Sequence, residues 1–243
     1  MEGFRFESRN GPIVAAHRGA TEQALENSLA AVSRSVSDGA DMIEFDVRLT
    51  ADGIPVVIHD ERTGRTAREN LRVSRCGADR LRKVRLKNGE PLPFLEAVLD
   101  VVGGKVPVNI EVKDAGGMEA VFRTLAAAGY RGEVLLSSSL REECAAATSM
   151  CPALPCGLVT DRPSVSDIAF CLRHSLRSIH PDHRRLSVLR IRKVLASGLA
   201  LFPYTVNDPD RFFALVESGA SGVFSDRAES LRAAWRERTG NGR

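Results

Sequence analysis

Glu44, Asp46 and Glu111 carry the chemistry most open to reading in this chain. Glu44 and Asp46 stand two apart in MIEFDVRL, alternating with Ile43, Phe45, Val47 and Leu49. Residues i and i+2 of a strand share a face, so the two carboxylates point the same way. Glu111 repeats the pattern in NIEVK on a later strand. Buried carboxylates are costly unless compensated. A hard divalent cation bound by oxygens, Mg²⁺ or Ca²⁺ with Mn²⁺ as a further candidate, would compensate all three. Zinc fits less well, because it favours nitrogen and sulfur. Ion pairs with Arg48, on the same face, and with Lys113 are the competing explanation.

His17 and His59 each end a strand-like run, PIVAAH and PVVIH. Imidazole titrates near neutrality, so one ring can hold a proton while the other accepts one. Arg18 and Lys113 add positive charge at the same strand ends. Arg grips phosphate with a planar fork and Lys with a point charge. A divalent cation, two acid/base histidines, an Arg and a Lys fit a phosphate ester. Glycosidases use two carboxylates and need no metal, and the chain has no GxSxG nucleophile elbow. His174, His180 and His183 lack such neighbours, and HPDH at 180–183 is the weaker candidate for a loop metal site.

Residues so far apart in sequence need a scaffold that gathers strand ends. Strand-like runs, apolar and β-branched as strands covered on both faces should be, occur at 12–17, 42–47, 55–59, 106–113, 133–138, 155–160, 177–181, 199–205 and 222–225. Helical spacing alternates with them. Asn27 and Ser28 can cap a helix through Leu29, Val32 and Val36, which Gly39 stops. Leu95, Val98, Leu99 and Val102 make a second, and Val121, Phe122 and Leu125 a third. Others are predicted at 140–149, 164–174 and 187–197, after Asp208, and through Leu231 and Trp235. Repeated strand–helix alternation predicts a (β/α)₈ TIM barrel, in which catalytic groups sit at the C-terminal strand ends. A doubly wound open sheet is the alternative, but AAHRGA is no Gly-rich phosphate loop. Residues 61–92, polar and weakly periodic, are predicted to be an insertion, partly hairpin, folded over one end of a single domain spanning 1–243.

The chain has 243 residues, 34 Lys+Arg, 31 Asp+Glu and a net charge of +3, with no basic block, which argues against nucleic-acid binding. No apolar run is long enough for a membrane span, and no signal peptide is visible at the start. A cytoplasmic protein without stable membrane association is expected. The five cysteines are odd in number and irregularly spaced. Buried thiols in a reducing compartment are expected, rather than a disulfide or zinc half-site at Cys151 and Cys156. Between Arg62 and Lys87 lie eight arginines and two lysines, a composition suited to an anionic, water-soluble substrate.

The motifs AHRGATEQALENS, EFDVRLTADGIPVVIHD, PLPFLEAV, NIEVKD, YTVND and GASGVFSDRAE, in this order, closely resemble the glycerophosphodiester phosphodiesterase family over about residues 13–228. The resemblance implies a (β/α)₈ barrel, a divalent metal, and cleavage of glycerophosphodiesters to an alcohol and glycerol 3-phosphate. By motif position His17 and His59 resemble the acid/base pair. Glu44, Asp46 and Glu111 resemble the metal ligands, and Arg18 and Lys113 the phosphate contacts. Glu26 falls on the family's Pro-Glu-Asn-Thr glutamate, with helix capping as its other reading. Ala24-Leu25 stands where the family has Leu-Pro, and Tyr204 replaces a pocket-lining Trp, which leaves the shape of the substrate pocket open. A phospholipase D-like or phospholipase C-like barrel acting on lysophospholipids is the neighbouring enzyme reading. A non-catalytic phosphodiester-binding barrel is the rival of another class.

Overall fold

The structure, a computed structural model, describes residues 2–4, 6 and 11–240. Its strands among these residues are β1 (Glu2–Gly3), β2 (Ile13–His17), β3 (Met42–Leu49), β4 (Pro55–Val57), β5 (Val108–Val112), β6 (Glu133–Ser138), β7 (Cys156–Thr160), β8 (Ser178–Pro181), β9 (Ala200–Leu201) and β10 (Gly222–Ser225). Eight of them lie side by side in the order β10-β2-β3-β5-β6-β7-β8-β9. Every pairing along this path is parallel. Ser221 N donates to Leu201 O at 3.0 Å and Phe224 N to Pro203 O at 2.9 Å, which joins the two ends into a ring.

The helices are α1 (Leu29–Ser37), α2 (Ala78–Leu81), α3 (Leu95–Val102), α4 (Gly117–Ala127), α5 (Arg141–Met150), α6 (Val165–Arg173), α7 (Val188–Ala196), α8 (Pro209–Glu217) and α9 (Ala228–Thr239). Seven follow a ring strand directly, and α3 follows β3 across the segment that holds β4 and α2, which gives the (β/α)₈ barrel. Period-2 alternation splits each strand between two cores. Val14, Ala16, Ile43, Phe45 and Val47 face outward into the layer beneath the helices. Ile13, Ala15, Met42, Leu135, Phe202 and Phe224 face inward and pack with Phe4. Gly157 keeps the interior open, because a Cβ there would lie 2.5 Å from both His180 Nε2 and Ser178 Oγ.

Two predicted strands differ in the structure. The run 55–59 is not a ring strand: β4 turns back antiparallel on β3, with Val47 opposite Val57. The excursion from the barrel therefore starts directly after β3, earlier than residue 61. The run 199–205 is regular only over Ala200–Leu201. Pro203 has no N–H to donate, although Tyr204 N still bonds Pro181 O at 2.9 Å.

The excursion has a core of its own. Val56, Ile58, Val73, Leu81, Val84, Leu86, Leu92 and Phe94 are buried together, and Leu25 of the β2–α1 loop packs on them. Antiparallel bridges Arg62–Arg72 and Ala67–Leu86 supply the hairpin character. Asp52 fastens the turn after β3 to α2, accepting from Ala78 N at 3.0 and 3.1 Å.

Candidate active site

Strand register brings the carboxylates together. His17 lies across from Glu44, and Asp46 across from Glu111. One oxygen from each of Glu44, Asp46 and Glu111 lies within 4.8 Å of the other two. Glu44 and Asp46 are 2% and 0% exposed. Burial and the adjacent Asp46 push the Glu44 carboxyl up. Burial acts the same way on Asp46, but Lys113 and Arg18 overcome it and hold that carboxyl down. Glu44 Oε1 and Asp46 Oδ1 are buried with no hydrogen-bond donor. Two orphaned oxygens inside a cluster of three carboxylates fit a hard divalent cation.

Cations of the chain itself share the cluster. Lys113 Nζ pairs with Glu111 and lies 3.0 Å from Asp46 Oδ1, near enough to compensate its charge but not aligned to donate. Arg18 Nε is 3.2 Å from Asp46 Oδ2. The competing ion-pair explanation is thus met by Lys113 but not by Arg48. The Arg48 guanidinium leaves the cluster, donating from Nη1 to Asp114 Oδ1 at 2.5 Å and from Nε to the His59 carbonyl at 2.7 Å.

The HRG turn sets Arg18 by its backbone. Arg18 adopts φ 60 and Gly19 φ 88, both left-handed. The turn aims Arg18 N at Glu44 Oε2, 2.9 Å away. Only glycine suits the next position, since a Cβ would lie 2.8 Å from the Ala31 Cβ of α1. Glu26 does not cap α1; Ser28 does, accepting from Ala31 N. The Glu26 carboxylate instead binds Arg18 Nη1 at 2.9 Å and Arg65. Asn27 is no cap either. It sits at φ 53, and its Nδ2 donates to Asp46 Oδ2 at 2.9 Å.

Each strand-end histidine has a carboxylate on Nδ1. His17 Nδ1 is 2.7 Å from Asp226 Oδ1, and His59 Nδ1 is 2.7 Å from Asp60 Oδ1. Asn207 orients Asp226, donating from Nδ2 to Oδ2 at 2.9 Å and accepting the Asp226 amide on Oδ1 at 2.9 Å. His17 is buried, which lowers its pKa, but Asp226 and Glu44 outweigh burial and raise it. Sequence reasoning gave Asp226, Asn207 and Asp60 no role and Asn27 only that of a helix cap. Their positions in FSD, YTVND, IHD and ENS at strand and loop ends were the available signal.

His17, His59, Glu44, Glu111 and Lys113 open onto one cavity of about 340 Å³, which Tyr204 also lines. Burial pushes the Tyr204 phenol up to about 12. His180 also lines the cavity, bonded to Ser178 Oγ at 2.9 Å, and burial lowers its pKa to about 3, so it stays neutral. HPDH is no metal site: Asp182 pairs with Arg184, and among the described residues the only metal-spaced cluster is that of Glu44, Asp46 and Glu111. A second groove of about 830 Å³ shares His17 and Arg18 and runs along the β2–α1 loop to Arg227. All five thiols are free; Cys144, Cys156 and Cys171 are buried.

The sequence profile described as "Glycerophosphoryl diester phosphodiesterase family" matches residues 17–230. A glycerophosphodiester phosphodiesterase of Caldanaerobacter subterraneus is 30% identical over 90% of this chain and 96% of its own length. The glycerophosphodiester phosphodiesterase of Thermotoga maritima has a solved structure that superposes with a TM-score of 0.78 at 25% identity, over 93% of this chain and all of that one. The fold is also shared with an Oleispira antarctica phosphodiesterase solved with its product sn-glycerol-3-phosphate, at TM-score 0.86 and 24% identity, over 92% of this chain and 96% of that one.

Proposed function

Because the chain belongs to the glycerophosphoryl diester phosphodiesterase family, we propose that it hydrolyses glycerophosphodiesters to an alcohol and glycerol 3-phosphate. One observation carries the reading. Two histidines, each with Nδ1 on a carboxylate, line a cavity together with Glu44, Glu111 and Lys113, and buried Asp46 completes the carboxylate cluster. Glu44, Asp46 and Glu111 would hold the divalent cation, Mg²⁺, Ca²⁺ or Mn²⁺, which when bound polarises phosphoryl oxygens.

The chain's own groups do the rest. With Asp226 and Asp60 on their Nδ1 atoms, His17 and His59 present Nε2 to the substrate. One ring accepts the proton of the nucleophile, which is either water or the neighbouring glycerol hydroxyl, and the other gives a proton to the departing alkoxide; in the second case a cyclic phosphate forms first and water then opens it to glycerol 3-phosphate. Such help is typically worth ~10²–10⁴-fold. Lys113 and Arg18 place positive charge beside the phosphate. Arg18 is already divided between Asp46 and Glu26, so its contribution is chiefly electrostatic. Tyr204 forms the wall against the glycerol or the headgroup. The segment 61–92 works within the same single catalytic unit. Five free thiols fit a reducing, cytoplasmic setting, and no described helix is long and apolar enough to cross a membrane.

The test is incubation with glycerophosphocholine, scoring glycerol 3-phosphate, for the wild type and for His17→Ala and His59→Ala. EDTA should abolish wild-type turnover and Mg²⁺, Ca²⁺ or Mn²⁺ restore it, while each histidine variant loses most of kcat. Full turnover in metal-free buffer would refute the cation, and a change confined to KM in His59→Ala would make His59 a binding residue.

A further inference from the structure

His59 is the less anchored of the two histidines. It follows β4 on the excursion rather than a ring strand, and its side chain is 36% exposed. Its backbone is tied to β3, where Arg48 Nε donates to the His59 carbonyl at 2.7 Å, but what holds its ring lies one step further out. Arg65, in the 3₁₀ turn Thr63–Arg65, forms two forks. Its Nη1 and Nη2 donate to Glu26 Oε2 and Oε1 at 2.6 and 2.7 Å. Its Nε and Nη2 donate to Asp60 Oδ2 and Oδ1 at 2.6 and 3.2 Å. Both carboxylates also grip a residue of the site, Asp60 holding His59 and Glu26 holding Arg18. The unbroken series His59–Asp60–Arg65–Glu26–Arg18 therefore crosses from the excursion to the barrel.

We infer that Arg65 is a positioning residue that fixes His59 relative to the barrel-borne half of the site, an inference that rests on reading His59 as a proton-transfer group. An exposed ion pair alone contributes little. Two forks on one rigid plane, however, fix the angle between two carboxylates, and a lysine ammonium, a point charge on a flexible stem, cannot do so. The excursion thus serves to deliver an aimed imidazole, and Arg65 supplies the aim. Arg80, paired with Glu69 on the same excursion, stands outside this series and serves as the control.

The experiment compares the full chain, with Mg²⁺ present, as wild type, Arg65→Lys, Asp60→Asn and Arg80→Ala. With glycerophosphocholine, Arg65→Lys should lower kcat about 10- to 100-fold, the scale set by ångström misplacement of a reacting group, with little change in KM. Arg80→Ala should match the wild type. Long-range ¹H–¹⁵N correlations of the His59 ring should show the Nδ1–H tautomer in the wild type and Arg80→Ala, and a mixture in Arg65→Lys and Asp60→Asn. Wild-type kcat in Arg65→Lys, a loss in KM alone, or an unchanged ring spectrum would each overturn the inference. The ring spectrum needs no turnover, so a chain inert on glycerophosphocholine would sink the proposed reaction while the spectrum still decided the part of Arg65.

Discussion

Asp226 and Asp60 do the same thing for two imidazoles from opposite directions. Asp226 reaches His17 from the last ring strand and is itself held by Asn207. Asp60 reaches the ring of its own neighbour and is held by Arg65. The Arg65 hydrogen bond, followed by that of His59, lowers the Asp60 carboxyl from 3.8 to about 2. A lowered carboxyl contributes stability that is fully present above its unfolded value and is lost as pH falls through the folded one. The wild type should therefore lose thermal stability more steeply between about pH 4 and about pH 2 than Asp60→Asn. Melting midpoints at stepped pH will show it, and parallel curves would refute the Asp60 contribution. The carboxylate cluster of Glu44, Asp46 and Glu111 was legible in the sequence because its members lie on strands, where spacing of two fixes the face. The residues that aim the histidines were not. His17 and Asp226 are 209 positions apart, and Asn27 looked like an ordinary helix cap because its partner, Asp46, lies on a different element.

The β2–α1 turn is the element that most constrains the site. Gly19→Ala would force a side chain at φ 88 into contact with Ala31. Strain of this kind costs on the order of 1–3 kcal/mol. The variant should unfold at lower denaturant and lose activity, because the Arg18 amide is drawn off Glu44. Wild-type stability in Gly19→Ala would show that the turn has slack. The strand–helix alternation was plain from apolar runs and glycine stops. The run 55–59 misled because a buried β-branched strand has the same composition in a ring as in an excursion. The core of the excursion was hidden for a related reason. Val73, Leu81, Val84 and Leu86 are scattered among charges in sequence, and only the tertiary fold collects them.

At the scale of the whole molecule, the excursion turns its apolar side chains inward and offers no greasy lid to an acyl chain. Several of its arginines are tied up, Arg72 with Glu61, Arg80 with Glu69 and Arg82 with Glu96. The charge left for steering is smaller than the sequence count implies. Glycerophosphocholine or glycerophosphoethanolamine should still be cleaved with higher kcat/KM than lysophosphatidylcholine below its micelle threshold, with a moderate fall in rate on adding salt. Preference for the lysolipid would move the phospholipase-like reading to first place. Lys113 bears on how such a molecule comes into being. Its ammonium already neutralises Asp46 and Glu111 inside the barrel, so the ring of strands can close around its own internal counter-ion. The order of assembly follows. If Glu44, Asp46 and Glu111 hold a cation as proposed, the newly made chain would not have to wait for it in order to fold, and loading would be a late step in which the cation takes over from Lys113 the neutralising of Asp46 and Glu111.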